Sequence, residues 1–165
     1  MGATYKMIYL DHAATTAVYP EVIREMTPYL HDYYYNPSSS YKEGRLLHKK
    51  LDQIRTVLAG GIHAKPQEII FTSGGTESDN WVLVNAARSL CGKGRHIITS
   101  AIEHHAILHT CHFLENCGFD LTYLPVNREG FVEPAVLEKA IRPDTILISV
   151  MYANMLIILI DIMNV

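Results

Sequence analysis

From Glu68 to Tyr152 short apolar runs alternate with longer helix-forming stretches, and few architectures accept that order. The runs are "EIIFT" at 68–72, "RHIITS" at 95–100, "LTYLPV" at 121–126 and "TILISVMY" at 145–152. Helical material fills the intervals from Glu77 to about Cys91, from His104 to about Asn116 and from Glu133 to Ile141. Strand and helix thus alternate four times, with joints containing Gly, Pro and Asn. Such repetition predicts βαβ units, hence an α/β fold with a largely parallel sheet and helices on both faces. Upstream, Leu47, Leu51, Ile54 and Leu58 recur at helical spacing and predict an amphipathic helix ended by Gly60 and Gly61. No internal repeat or low-complexity linker interrupts the chain, so residues 1–165 read as one domain. Sheets of this kind bind ligands beyond the carboxyl ends of their strands, here "TSGGT", "SAIEHH" and "YAN".

Charge narrows the partners. Fourteen Lys and Arg against seventeen Asp and Glu leave a formal charge of −3, without long runs of either sign. The expectation is a small-molecule ligand, with no nucleic acid and no anionic membrane surface. Three cysteines, Cys91, Cys111 and Cys117, lack C-x-x-C spacing, and no secretory leader pattern opens the chain, so a reducing cytoplasm is expected. Lys6 occupies the position where a myristoylation signal carries Ser or Thr. Asn154 and Asp161 interrupt the apolar tail from Thr145 to Val165, leaving nothing near the roughly twenty residues of a spanning helix.

At Thr72 to Thr76 an apolar run enters a helix through Ser73, Gly74 and Gly75. Unpaired N–H groups of a first helical turn, beside the positive end of the helix dipole, suit a phosphate, and the Thr76 hydroxyl adds a donor. The alternative is a plain N-cap, in which Ser73 or Thr76 caps the helix and nothing binds. The pattern is neither a Walker loop nor a G-x-G-x-x-G turn, so a ligand other than a nucleotide is favoured. Four histidines, His104, His105, His109 and His112, fall within the next helix, and His105 and His109 share a face. Without H-E-x-x-H or C-x-x-C spacing no metal is expected, and His109 and His112 read as a solvated face. His104 sits at the strand-to-helix joint, where an imidazole either stacks on an aromatic cofactor and exchanges protons or caps the helix. "NPSS", within the polar loop at 33–41, reads as a turn, with Ser39 or Ser40 capping the helix that follows.

Taken in order, "YLDHAATT", "NPSS", "FTSGGTESDN", "EHHAIL" and "VMYAN" resemble the signature of pyridoxal-phosphate-dependent cysteine desulfurases, in the class V aminotransferase group. The resemblance runs from about Ile8 to Asn154. It implies the large domain of a fold type I pyridoxal-phosphate-dependent transferase. It also implies that Gly75 and Thr76 hold the phosphate of pyridoxal 5'-phosphate, and that His104 stacks on the pyridine ring and takes part in proton transfer. The implied chemistry moves sulfur from L-cysteine to an enzyme cysteine as a persulfide, with release of alanine, for iron-sulfur cluster or thiolation pathways. A sulfur-acceptor protein and a homodimer belong to the complete family member.

After Asn154 the resemblance ceases: the family continues with a second Asn that contacts the cofactor, whereas this chain has Met155 and then "LIILIDIMNV". None of the seven lysines (Lys6, Lys42, Lys49, Lys50, Lys65, Lys93, Lys139) lies in the Ser-x-His-Lys context of the Schiff-base lysine. Cys91, Cys111 and Cys117 do not match the persulfide loop, and the Asp that pairs with the pyridine nitrogen and the carboxylate-clamping Arg have no counterpart. The chain therefore reads as the amino-terminal part of a desulfurase, an incomplete domain with weak cofactor binding and no turnover by itself. With a sheet neighbour missing beside "TILISVMY", aggregation is expected. Two alternatives remain at this level: a non-catalytic short product that binds a complete homologue, or a fragment of selenocysteine lyase or another class V transferase.

Overall fold

The computed structural model describes residues 8–12 and 14–154. The chain divides into two compact units, Met1–Phe71 and Thr72–Val165.

In the first unit α1 spans Pro20–His31, with Pro at its first position and Tyr19 extended ahead of it. Proline suits that place because its missing N–H would have no partner in a first turn. The amphipathic stretch forms α2, Lys42–Gly61. Gly60 and Gly61 are its last two residues, and the left-handed residue that ends it is His63, at φ 54°. Ala64 N–H then reaches the Ala59 carbonyl at 2.9 Å, a bond that satisfies one otherwise orphaned carbonyl of the last turn. "NPSS" is a turn, as expected: Asn36 Oδ1 accepts from Ser38 N–H at 2.9 Å and the Asn36 carbonyl from Ser39 N–H at 3.0 Å. The expected cap is different. Tyr41 occupies the cap position and makes no side-chain cap bond; Ser39 lends its N–H to the turn and the Ser40 carbonyl accepts from the Arg45 guanidinium.

The strand expected at 68–72 is also corrected. Pro66–Glu68 forms a 3₁₀ turn, the Ile69 N–H bonds back to the Pro66 carbonyl at 3.2 Å, and residues 69–71 are irregular. An extended apolar segment becomes a strand only when a neighbouring strand takes up its backbone groups, and these residues have none among those described.

The second unit carries the predicted alternation. In order it comprises α3 (Gly75–Leu90), β1 (His96–Ser100), α4 (His105–Asn116), β2 (Asp120–Leu124), α5 (Pro134–Ala140) and β3 (Thr145–Ser149). The strands form a parallel sheet in the order β2-β1-β3. All five residues of central β1 are buried, whereas β2 and β3 are only partly so. Leu83 and Ala87 of α3 meet Ile97 of β1 and Ile107, Cys111 and Leu114 of α4 in one apolar cluster. Burial in that cluster pushes the Cys111 thiol up to about 11, so it packs as an apolar side chain. Among the described residues no helix is long and apolar enough to cross a membrane.

One polar side chain spans the sheet. His96, fully buried on β1, places Nδ1 2.7 Å from Thr145 Oγ1 and Nε2 2.8 Å from Thr122 Oγ1, so it reaches β3 and β2 at once. Burial, followed by the Arg142 charge, lowers its pKa below 6.5. The folded protein thus takes up this proton less readily than the unfolded chain. Its contribution to stability is complete above pH 6.5 and is lost as pH falls from there through the folded value. The thermal midpoint is expected to drop between pH 7 and pH 5, and His96→Asn to flatten that drop. A slope unchanged in the variant would assign the effect to other groups.

Candidate functional site

Two helix starts converge on one cavity of about 450 Å³. Thr76 comes from the first turn of α3. His104, His105 and Ala106 come from the start of α4, and Asn80 and Phe113 are among the other lining residues. First-turn N–H groups lack intrahelical partners, and both dipoles present their positive ends, so the arrangement favours an anion.

The turn before α3 is organised by its own side chains. Glu77 accepts from Ser73 N–H at 2.6 Å and from Ser73 Oγ at 2.7 Å, and these two bonds lower the Glu77 pKa. Thr72 Oγ1 lies 2.7 Å from Ser78 Oγ. Gly74 occupies the cap position in an extended conformation, and no side chain caps the helix, so neither Ser73 nor Thr76 serves as the cap. The Thr76 hydroxyl has no partner among the described residues. A Cβ placed on Gly74 or Gly75 would meet nothing within 4 Å among the described residues, so their packing does not require glycine there. The space beside the turn stays open, and a phosphate approaching the backbone is one thing that would use it.

His104 is the N-cap of α4: its Nδ1 accepts from Ala106 N–H at 3.1 Å. The helix is therefore capped as one sequence alternative required. With Nδ1 an acceptor, the proton of the neutral ring sits on Nε2. The expected helix start shifts by one residue, since His104 caps α4 rather than entering it.

The remaining histidines separate. His109 lines the same cavity and its ring lies 5.4 Å from that of His105, centroid to centroid. His112 points elsewhere, pairing with Glu115 at 2.9 Å and lying beside Tyr123. Among the described residues no group of three or more His, Cys, Asp or Glu side chains is arranged to hold a metal.

The carboxyl ends of β1 and β3 are joined by side chains. Buried Glu103 accepts through Oε1 from Ser100 Oγ at 2.7 Å and from Met151 N–H at 2.6 Å. Asn154 Nδ2 donates to the Ile102 carbonyl at 2.8 Å. "SAIEHH" and "YAN" therefore meet, as the sheet order requires. Met155, where the family pattern breaks, lies outside the described residues. Sequence reasoning overlooked Glu103, Asn80 and Thr110. The signal within reach was the four-residue spacing of Asn80 from Thr76 and of Thr110 from Ala106, which permits side-chain bonds to carbonyls one turn back.

The family model for aminotransferase class-V matches residues 8–157. The chain is 54% identical over 147 residues to the cysteine desulfurase IscS of Dictyoglomus turgidum, a match that covers 89% of this chain and 37% of that protein. Among solved structures it resembles a NifS-like protein at a TM-score of 0.85 and 39% identity, over 89% of this chain and 40% of the other. It also resembles SspA, solved in complex with cysteine, at a TM-score of 0.83 and 39% identity, over 88% of this chain and 42% of the other. The chain thus spans less than half the length of these relatives.

Proposed function

Since this chain belongs to the aminotransferase class-V family, we propose that it carries the phosphate-and-ring half of a cysteine desulfurase cofactor site. The carrying observation is that Thr76, beside Gly75 on the first turn of α3, and His104, at the cap of α4, line one cavity. Pyridoxal 5'-phosphate is the cofactor that the family resemblance implies, and the residues present suit it. Gly75 N–H and the Thr76 hydroxyl are donors for phosphate oxygens, and the His104 ring offers a flat face with a proton on Nε2. When bound, the cofactor supplies an electron sink for carbanion chemistry at the amino acid. His104, held by the Ala106 N–H, is oriented to exchange its Nε2 proton with the reacting groups.

The proposed overall reaction breaks the Cβ–S bond of L-cysteine, transfers the sulfur to an enzyme thiol as a persulfide, and protonates Cβ to give alanine. A structural relative solved in complex with cysteine supports that amino acid as the substrate. Delivery of the sulfur to an iron-sulfur or thiolation acceptor, a homodimeric enzyme and a cytoplasmic setting follow from the same reading. The 165 residues contain neither a Ser-x-His-Lys lysine nor a persulfide-loop cysteine, so turnover is assigned to a polypeptide that has both.

The test is transplantation. Residues 8–154 replace the corresponding segment of the Dictyoglomus turgidum desulfurase, and alanine release from L-cysteine is followed. The chimaera is expected to be active, and His104→Ala within it to be slower by about 100-fold, the lower range for loss of a general acid or base. The 165-residue chain alone should give no alanine above the enzyme-free control. A folded chimaera that binds the cofactor yet releases no alanine would sink the reading.

A further inference from the structure

A run of side-chain hydrogen bonds connects the turn at Thr76 with the cap at His104. Asn80, on α3, donates from Nδ2 to the Thr76 carbonyl at 2.7 Å. Its Oδ1 accepts from the Thr110 hydroxyl, on α4, at 2.5 Å. The same hydroxyl lies 2.8 Å from the Ala106 carbonyl, and the Ala106 N–H is the donor that His104 Nδ1 accepts. The first turns of two helices are thereby tied together through two side chains, one buried and one half-buried.

We propose that Asn80 and Thr110 are positioning residues that set the separation of Thr76 from His104, and with it the length of ligand that the cavity accepts. The inference rests on the reading that Thr76 and His104 hold the two ends of one ligand. The single Thr110 proton is shared between two acceptors, Asn80 Oδ1 and the Ala106 carbonyl, and the Asn80 amide is anchored on the Thr76 carbonyl, so the pair acts through Thr76 and His104. Helix formation does not call for it, since asparagine and threonine are both mediocre helix formers. Nor is the contact needed for adhesion, because replacing both partners of a buried hydrogen bond with apolar groups of similar shape is nearly neutral for stability. What an amide facing a hydroxyl adds is a fixed distance and direction, which apolar packing supplies less sharply. A ligand spanning both helix starts depends on that distance, whereas an ion held by the turn alone does not.

The experiment compares the full chain with Thr110→Val, Asn80→Ala and Thr110→Ser. It reads the His104 ring ¹⁵N signals, the thermal midpoint, and the affinities for pyridoxal 5'-phosphate and for inorganic phosphate. In Thr110→Val and Asn80→Ala the His104 signals are expected to move and the Kd for pyridoxal 5'-phosphate to rise about tenfold, with that for inorganic phosphate unchanged within about twofold. Thr110→Ser keeps the hydroxyl and is expected to match wild type. Unmoved His104 signals in both Thr110→Val and Asn80→Ala overturn the inference. So does weakening of both ligands in step with the midpoint, which marks a packing defect. If wild type binds neither ligand, the cofactor reading falls, and the His104 signals still decide the positioning role.

Discussion

Glu103→Ala is expected to destabilise the second unit by about 2–4 kcal/mol, because it strands two donors that lie 2.6 and 2.7 Å from one buried carboxylate oxygen. The Met151 N–H has no other partner among the described residues, and the Ser100 hydroxyl would face the same vacancy. For a unit of this size the thermal midpoint should fall by roughly 10 °C or more. Glu103→Gln retains an acceptor at the same place and is expected to recover most of the loss. The effect reaches the site because Glu103 directly precedes His104 and ties the end of β1 to the segment after β3. A midpoint for Glu103→Ala within about 2 °C of wild type would show that water replaces the carboxylate at little cost.

A comparably large effect is expected at Gly94, just before β1. A Cβ there would fall on the backbone of Asp144, with the carbonyl oxygen, carbonyl carbon and Cα all inside van der Waals contact. The approach is close because His96 N–H bonds the Asp144 carbonyl at 3.1 Å, which pulls the entry to β3 against the entry to β1. Backbone cannot swing aside as a side-chain tip can, so Gly94→Ala is expected to cost about 3 kcal/mol and Gly94→Val more. Urea titration checks it: both midpoints should fall, in that order, with the slope unchanged. Equal stability of Gly94→Ala and wild type would contradict the close packing of these two strand entries.

Several elements could be read from the chain because their signals are local. "HIITS" carries a β-branched run, Ile97, Ile98 and Thr99, in the interval between "GKG" and "EHH", and it is the fully buried central strand. Spacing of four, three and four among Leu47, Leu51, Ile54 and Leu58 marks α2, although Ile54 and Leu58 are exposed in the structure. "EIIFT" has the same local signal as the true strands and fails, because strand formation is settled by a neighbour that its own residues do not specify. The turn at Gly75 and Thr76 and the joint at His104 could be found from composition and position. That Thr76 and His104 line one cavity depended on the packing of α3 against α4. Asn80 and Thr110 stayed hidden for the same reason, since a bond across thirty residues leaves no periodic trace. Glu103 looked like one more charged residue in a polar joint until its two donors were in place.

Thr76 and His104 are proposed to form one cofactor-binding surface. The most direct test of that proposal is a spectroscopic titration of the 165-residue chain with pyridoxal 5'-phosphate, beside Thr76→Val and His104→Ala. Saturable binding to wild type is predicted, with the Kd raised about tenfold in each variant, equivalent to about 1.4 kcal/mol apiece. Absence of saturable binding in a folded wild-type chain, or affinities unchanged in both variants, would contradict it.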